Sequence, residues 1–279
     1  MVSFGTLAPF VRNIAVSSGE LALYRALLAA LLIGTFLLVT EQKIPFRSLG
    51  KELLLLLFSG IAMGFNWILL FQAYKYTTVS VATLSYYFAP VIVTAVCPFL
   101  FKEKLTPKQI LCFVMSTLGI VIITGIPTSG GGSNNSLGIL FGLGAAVLYA
   151  VCILLNKFIK GVGGIQRTFL QFLAAIAVMV PYVAFTGSIT VGSLDTTGWI
   201  CLAVIGLVHT GITYCMYFTA VEHIPGQAVA ILSYIDPLVA VLVSVIWLSE
   251  TMTLPQILGG LLILGFTLWN ELEPRKPKA

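Results

Sequence analysis

AYKYTTVSVATLSYYFAPVIVTAVCPFLFKEKLTPKQIL, residues Ala73–Leu111, has a counterpart later in the chain, AVEHIPGQAVAILSYIDPLVAVLVSVIWLSETMTLPQIL, residues Ala220–Leu258. At one constant offset Ala73 meets Ala220, Tyr87 meets Tyr234 and Pro90 meets Pro237. Glu103, Thr106 and Gln109 then meet Glu250, Thr253 and Gln256. A run of matches at one spacing, in segments of equal length, is the signature of an internal repeat. Each copy reads as a long apolar run with a proline inside it, a short polar turn, and the start of a second apolar run.

Outward from these stretches the chain keeps the same texture. Of its 279 residues 58% are hydrophobic and 9% are charged. Soluble domains carry roughly 45–50% apolar and about 25% charged residues. So few charges cannot cover a solvated surface of this size, which excludes a soluble enzyme, a nucleic-acid binder and a disordered chain together. Apolar runs fall at 3–15, 20–40, 53–74, 77–101, 107–126, 137–159, 166–186, 197–220, 225–248 and 254–271. Most approach the ~20 residues a transmembrane helix needs. They are continuous rather than alternating, which excludes a β-barrel. The expected fold class is an all-α polytopic membrane protein of about ten transmembrane helices.

The basic residues set the orientation. With a cytoplasmic N-terminus and ten alternating spans, the inner loops hold Lys43, Arg47, Lys51, Lys102, Lys104, Lys108, Lys157, Lys160 and Arg167, and the tail holds Arg275, Lys276 and Lys278. Of the 15 basic residues only Arg12, Arg25 and Lys75 fall elsewhere, a strong positive-inside bias. It accounts for the net charge of +5 without nucleic acid. Five spans per repeat is an odd number, so the two copies must sit inverted. The matched turns agree: KEKLTPK is basic and faces in, whereas SETMTLP has lost every lysine and faces out. The expected division is a first five-helix repeat at 1–126, a Gly/Ser linker at 127–136, a second repeat at 137–272 and a basic cytoplasmic tail at 273–279. By comparison with the sixth span, the first is short by some 8–14 residues of a full crossing, and no basic stretch ahead of it suggests a signal peptide.

The two quoted stretches, together with YRALLAALLI at Tyr24–Ile33, resemble the EamA-type domain of the drug/metabolite transporter superfamily, present twice. The resemblance covers nearly the whole chain. It implies ten helices in inverted repeats, both termini inside, and the outward movement of small metabolites, often amino acids. The short first span departs from that pattern.

Polar groups at membrane depth are costly and tend to face a bundle interior or an aqueous path. Asp236 stands out, deep in the ninth span and followed by Pro237, which removes a backbone donor. It is a candidate for binding a proton or a substrate ammonium. His209, Thr213 and Tyr217 share one face of the eighth span at i, i+4, i+8; Asn66 and Tyr74 form a matching stripe on the third, with Trp67 beside it. Tyr86 and Tyr87 precede Pro90, Ser233 and Tyr234 precede Pro237, and Tyr149 and Asn156 lie on the sixth span. These thirteen side chains are the candidate substrate-binding set, expected between spans 1, 3, 4, 6, 8 and 9. Competing structural roles are interhelical hydrogen bonding for His209 and core or interfacial packing for about half the aromatics.

Other polar residues read as structural. Arg25 is expected to snorkel toward the outer surface, and Glu103 and Glu250 to cap helix ends in solvent. Gly60 and Gly64, and Gly138 and Gly142, are small-xxx-small pairs for close helix contact. The five cysteines show no ligand spacing, no nucleotide-binding P-loop occurs, and no cofactor is expected. Asn134–Ser136 is a formal glycosylation sequon.

The expected function is therefore a secondary transporter, exporting an amino acid or an aromatic or amphiphilic solute by alternating access, in the cell membrane with the C-terminus cytoplasmic. Its partners are the solute, membrane lipids and protons as a coupling ion. Multidrug efflux and a channel-like facilitator are the alternatives. An intramembrane hydrolase is disfavoured, since no GxSxG elbow and no paired acid accompany Asp236.

Overall fold

The computed structural model describes residues 1–42, 44, 49–50, 52–101, 106–124, 135–186, 189–221 and 232–272. Most of the linker (127–134), the sequon Asn134, Glu103, the loop residues Lys43, Arg47, Lys51, Lys102 and Lys104, and the tail 273–279 lie outside these. All regular structure among the described residues is helical. In chain order the helices are α1 (Val2–Gly5), α2 (Leu7–Arg12), α3 (Ser18–Val39), α4 (Glu52–Tyr76), α5 (Val79–Tyr86), α6 (Ala89–Phe101), α7 (Pro107–Thr124), α8 (Asn135–Asn156) and α9 (Gly164–Thr186). They continue with α10 (Thr196–Ala203), a π-helical stretch (Val204–Ile212), α11 (Thr213–Val221), α12 (Ile235–Ile246) and α13 (Leu254–Glu271).

Among the described residues six segments are long and apolar enough to cross a membrane: Ser18–Val39, Glu52–Tyr76, Val79–Cys97, Asn135–Asn156, Gly164–Thr186 and Thr196–Ala220. Pro107–Ile123 and Ile235–Ile246 are shorter apolar helices. The protein is an integral, polytopic membrane protein.

Local chemistry explains the helix ends. Ser17 and Glu20 form a capping box on α3: the Glu20 amide donates to Ser17 Oγ at 3.1 Å and the Ser17 amide to Glu20 Oε2 at 3.3 Å. The same carboxylate accepts from the Thr190 amide (2.6 Å) and hydroxyl (2.7 Å), tying the loop after α9 to the start of α3. The repeat-matched pairs Thr106/Gln109 and Thr253/Gln256 do equivalent work at the starts of α7 and α13. There the amides of Thr106 and Thr253 donate to the glutamine Oε1 atoms at 2.8 and 2.9 Å. These matched residues therefore start helices.

Four of the expected spans depart from a continuous α-helix. The fourth is interrupted at Tyr87–Phe88, between α5 and α6. Pro90 lacks an amide, so the carbonyl of Tyr86 loses its helical donor four residues on. In the ninth, α12 begins after Tyr234, two residues ahead of Pro237; its first part, 222–231, lies outside the described residues. The first span is broken at Thr6, and the eighth carries nine π-helical residues.

Small residues set the packing. A Cβ on Gly60 of α4 would lie 2.5 Å from the Gln171 carbonyl of α9, and one on Gly138 of α8 would lie 2.7 Å from Thr77 Cβ. Gly119 and Gly259 face each other, each with its would-be Cβ 2.6–2.7 Å from the other's carbonyl, which brings α7 and α13 together. The remaining principal contacts pair α4 with α8 and α9, α3 with α9 and the π stretch, α8 with α5 and α6, and α12 with α1, α2 and α5. Gly60→Ala is expected to destabilise the protein by about 1–3 kcal/mol, the usual range for overpacking. Gly265→Ala, which meets nothing within 4 Å, is expected to leave the detergent thermal midpoint unchanged. Equal midpoints for the two variants would contradict this packing.

Candidate substrate cavity

A cavity of about 480 Å³ lies between α1, α2, α3, α4, α5, α8, α9, α11, α12 and α13. Its volume is within the roughly 300–1,000 Å³ of small-molecule sites. Of the sequence-derived candidates, Asn66, Trp67, Tyr74, Tyr86, Tyr87, Tyr149, Asn156, Tyr217, Ser233, Tyr234 and Asp236 line it; His209 and Thr213 do not.

The tyrosines form a connected wall. Tyr86 stacks on Tyr149 at 5.2 Å between centroids and meets Tyr87 edge-on at 5.8 Å. Tyr214 meets Phe4 (5.3 Å) and Phe172 (5.6 Å) edge-to-face. The break after α5 places Tyr87, its C-cap residue, opposite the first turn of α12, where the Tyr87 hydroxyl donates to Asp236 Oδ2. Two lining amides are already engaged. Asn66 Nδ2 donates to the Ala145 carbonyl at 2.6 Å, fixing α4 on α8. Asn156 Oδ1 accepts from Gln171 Nε2 at 2.7 Å, and the same nitrogen is 2.6 Å from Ser59 Oγ.

His209 and Thr213 are turned away because their helix is not α-helical at that point. In a π stretch hydrogen bonds run i→i+5, so positions four apart no longer share a face. The Thr210 and Thr213 hydroxyls each donate to the carbonyl five residues back, Ile205 and Val208, at 2.8 Å. The stretch lies against α3 through glycines, with Gly206 at Leu28 and Gly211 at Leu32. His209 instead packs on Phe10 at 4.9 Å, with its ring nitrogens 3.2 Å from Thr6 Oγ1 and 3.4 Å from the Val204 carbonyl.

Arg25 overturns the expectation of a snorkelling side chain. It is 5% exposed and lines the cavity, with its guanidinium carbon 4.5 Å from the Trp67 ring centroid and 5.6 Å from that of Phe71. The signal was in the sequence: Ser17-Ser18-Gly19-Glu20 is a capping box that fixes the start of α3, so Arg25 sits two turns inside. Tyr214, Arg167 and Gln171 also line the cavity without having been singled out for it.

Glu250 is likewise not a solvated cap. Its side chain is 7% exposed and forms an ion pair with Arg12 of α2. It also accepts from the Val79 amide at the start of α5, at 2.9 Å, and from the Ser244 hydroxyl. Ser244 in turn accepts from Ser80 at 2.7 Å. One carboxylate thus ties α2, α5 and the end of α12 together. Burial of the ladder explains why it holds: a carboxylate with amide, hydroxyl and guanidinium donors is satisfied away from water.

Comparison with known proteins places this arrangement. Residues 1–125 and again 136–270 match the EamA-like transporter family. An uncharacterized transporter of Bacillus subtilis, YxxF, is 30% identical over 94% of this chain and 84% of its own length. An uncharacterized transporter of Archaeoglobus fulgidus is 28% identical over 97% of this chain and 93% of its own. YicL of Salmonella typhimurium, described as an uncharacterized inner membrane transporter, is 25% identical over 94% of this chain and 87% of its own. A solved crystal structure superposes with a TM-score of 0.66 at 18% identity, covering 95% of this chain and 92% of that one, a likeness of fold. With a helical membrane bundle around a cavity lined by aromatic and polar side chains and a family match in each half, the chain belongs to the EamA-like transporter family and is a transporter.

Proposed function

We propose that the protein is a secondary transporter that exports a small metabolite, an amino acid or an aromatic or amphiphilic solute, from the cytoplasm by alternating access. The observation that carries this reading is the cavity itself: a chamber of small-molecule size with an acid, an arginine and a tyrosine wall inside an apolar bundle. The lining is mostly apolar, which favours drug efflux as the second reading. Protons are the coupling ion, taken up at Asp236.

The helix pairings support ten spans in two inverted repeats, at 1–126 and 137–272, joined by the linker 127–136. Contact of α4 with α8 is matched by contact of the π stretch with α2, and contact of α3 with the π stretch by that of α4 with α9. Contacts of α8 with α5 and α6 are matched by those of α12 with α1 and α2, while α3–α9, α5–α12 and α7–α13 each join a span to its own counterpart. Exchanging the halves maps each of these pairings onto another of them or onto itself, a pattern consistent with two repeats related by a two-fold axis. Both halves also break a helix just before the matched prolines, the kind of discontinuity transporters use around a midplane site. The lysine and arginine bias puts the C-terminus in the cytoplasm, and the inner-membrane description of the Salmonella relative supports the cell membrane.

Uptake of labelled aromatic and aliphatic amino acids into proteoliposomes preloaded with a mixed solute pool tests the reading. Saturable uptake is expected. Tyr86→Ala and Tyr149→Ala, which dismantle the stacked pair, should raise the half-saturation concentration about tenfold for an aromatic solute, equivalent to one aromatic contact of ~1 kcal/mol or more. Flat uptake across the panel, or a half-saturation indifferent to both tyrosines, would reject it.

A further inference from the structure

The cavity holds two opposite charges that are not paired with each other. Asp236 is held by the Tyr87 hydroxyl. Arg25 makes one hydrogen bond, from Nε to Thr210 Oγ1 at 2.7 Å, and no ion pair with any carboxylate among the described residues. Burying an ionised group without a counter-charge is strongly unfavourable. A guanidinium at 5% exposure with only a neutral partner is therefore an unfilled position rather than a finished one.

The surroundings of Arg25 fix where its remaining donors point. Its Nε hydrogen goes to Thr210, whose own hydroxyl donates to the Ile205 carbonyl, a geometry that exists because this helix is π-helical there. One face of the guanidinium lies over Trp67, itself braced edge-on by Phe172 at 5.2 Å, and Phe71 flanks it. Cation–π contact holds the plane without consuming N–H groups. A guanidinium has five N–H donors; with Nε engaged, the terminal Nη1 and Nη2 pair is left for the cavity that Arg25 lines. Two parallel N–H groups at fixed spacing match the two oxygens of a carboxylate.

Resting on the transporter reading above, we infer that Arg25 is a substrate-binding residue that receives a carboxylate of the transported solute, so the cargo is a small organic acid or zwitterion with a single carboxylate. A phosphoryl group fits less well. It would bring two negative charges into the cavity that Asp236 also lines; Arg167, whose Nη1 donates to the carbonyls of Asn156 and Ile159 at 3.4 Å, is the other arginine on the wall. Thr210 acts through Arg25 as a positioning residue, since its hydroxyl holds Nε and leaves the terminal pair free.

The test reads equilibrium binding rather than flux, using purified full-length protein in detergent. Thermal stabilisation is titrated with phenylacetate, phenylalanine and leucine, each beside its amide, which keeps shape and size but removes the charge. At least one carboxylate should stabilise the wild type, with its amide roughly 10–100-fold weaker, the range for losing a charge-assisted pair. In Arg25→Gln the carboxylate should fall to the level of the amide, and amide binding should stay unchanged. Arg25→Lys keeps the charge without the fork and should lie between. Equal binding of acid and amide by the wild type overturns the inference. So does equal weakening of both by Arg25→Gln, or no stabilisation by any carboxylate of the panel. Should Arg25→Gln fail to fold, the wild-type acid/amide ratio and the lysine variant still decide. Carboxylate-selective binding without uptake would reject the transporter reading and keep Arg25; saturable uptake indifferent to the carboxylate would do the reverse.

Discussion

Asp236→Asn removes the response of transport to a pH gradient, with gradient-driven flux expected to fall at least tenfold, while His209→Ala leaves that response in place. Asp236 and His209 are the acid and the imidazole of the candidate substrate-binding set, and the geometry separates them. Asp236 lies in the first turn of α12, lines the cavity and accepts one hydrogen bond from Tyr87. It is thus an acid that a proton and the solute can both reach. His209 lies against Phe10, has both ring nitrogens near polar partners and does not line the cavity. Asparagine keeps the size and the Tyr87 bond but cannot take up a proton, and losing a tenfold drive corresponds to ~1.4 kcal/mol. The comparison is made in proteoliposomes, with and without an imposed gradient, at matched protein density. Full gradient response in Asp236→Asn, or its loss in His209→Ala, contradicts the assignment.

Glu250→Gln loosens the junction of α2, α5 and α12 and raises access to the cavity. The carboxylate holds Arg12, the Val79 amide and the Ser244 hydroxyl at one point. Arg12 is 38% exposed on its side of the pair, so the ion pair is worth less than a fully buried one. With the amide bond included, the loss is about 1–3 kcal/mol, enough to shift an open–closed equilibrium roughly tenfold or more. Cys152 lines the cavity and is a native reporter. Its labelling by a membrane-impermeant maleimide applied from the Arg12–Glu250 side should rise about tenfold in Glu250→Gln, taking Cys152→Ser as background. Unchanged labelling would mean that the ladder does not gate access.

The fold class was legible because it rests on composition and on long apolar runs, which fix helices across a bilayer whatever their neighbours do. The matched Thr/Gln pairs were legible as a repeat, and the structure gives them a reason, since they start α7 and α13. What could not be read were departures from α geometry. The i, i+4, i+8 stripe of His209, Thr213 and Tyr217 assumes 3.6 residues per turn, and the π stretch breaks that assumption, leaving only Tyr217 on the cavity wall. The stretch is packed against α3, with Gly206 and Gly211 accommodating Leu28 and Leu32. Arg25 was misread for a related reason. Snorkelling is the ordinary behaviour of an arginine near a helix end; the capping box at Ser17–Glu20 puts Arg25 two turns inside α3, and its contacts with Trp67 and Thr210 show the direction in which it turns. Glu250 could not have been paired with Arg12 from sequence, because more than two hundred residues separate them.

The central claim is that the cavity belongs to a carrier that exposes it to one side at a time. Counterflow tests this most directly. Proteoliposomes loaded with an unlabelled solute that the uptake screen identifies are diluted into a trace of the labelled compound, with no ion gradient. A carrier must accumulate label transiently above the outside concentration and then lose it as the internal pool drains, and Asp236→Asn should retain this exchange if its loss is one of coupling. Label that only equilibrates, without overshoot and in proportion to concentration, would contradict the account and point to a channel.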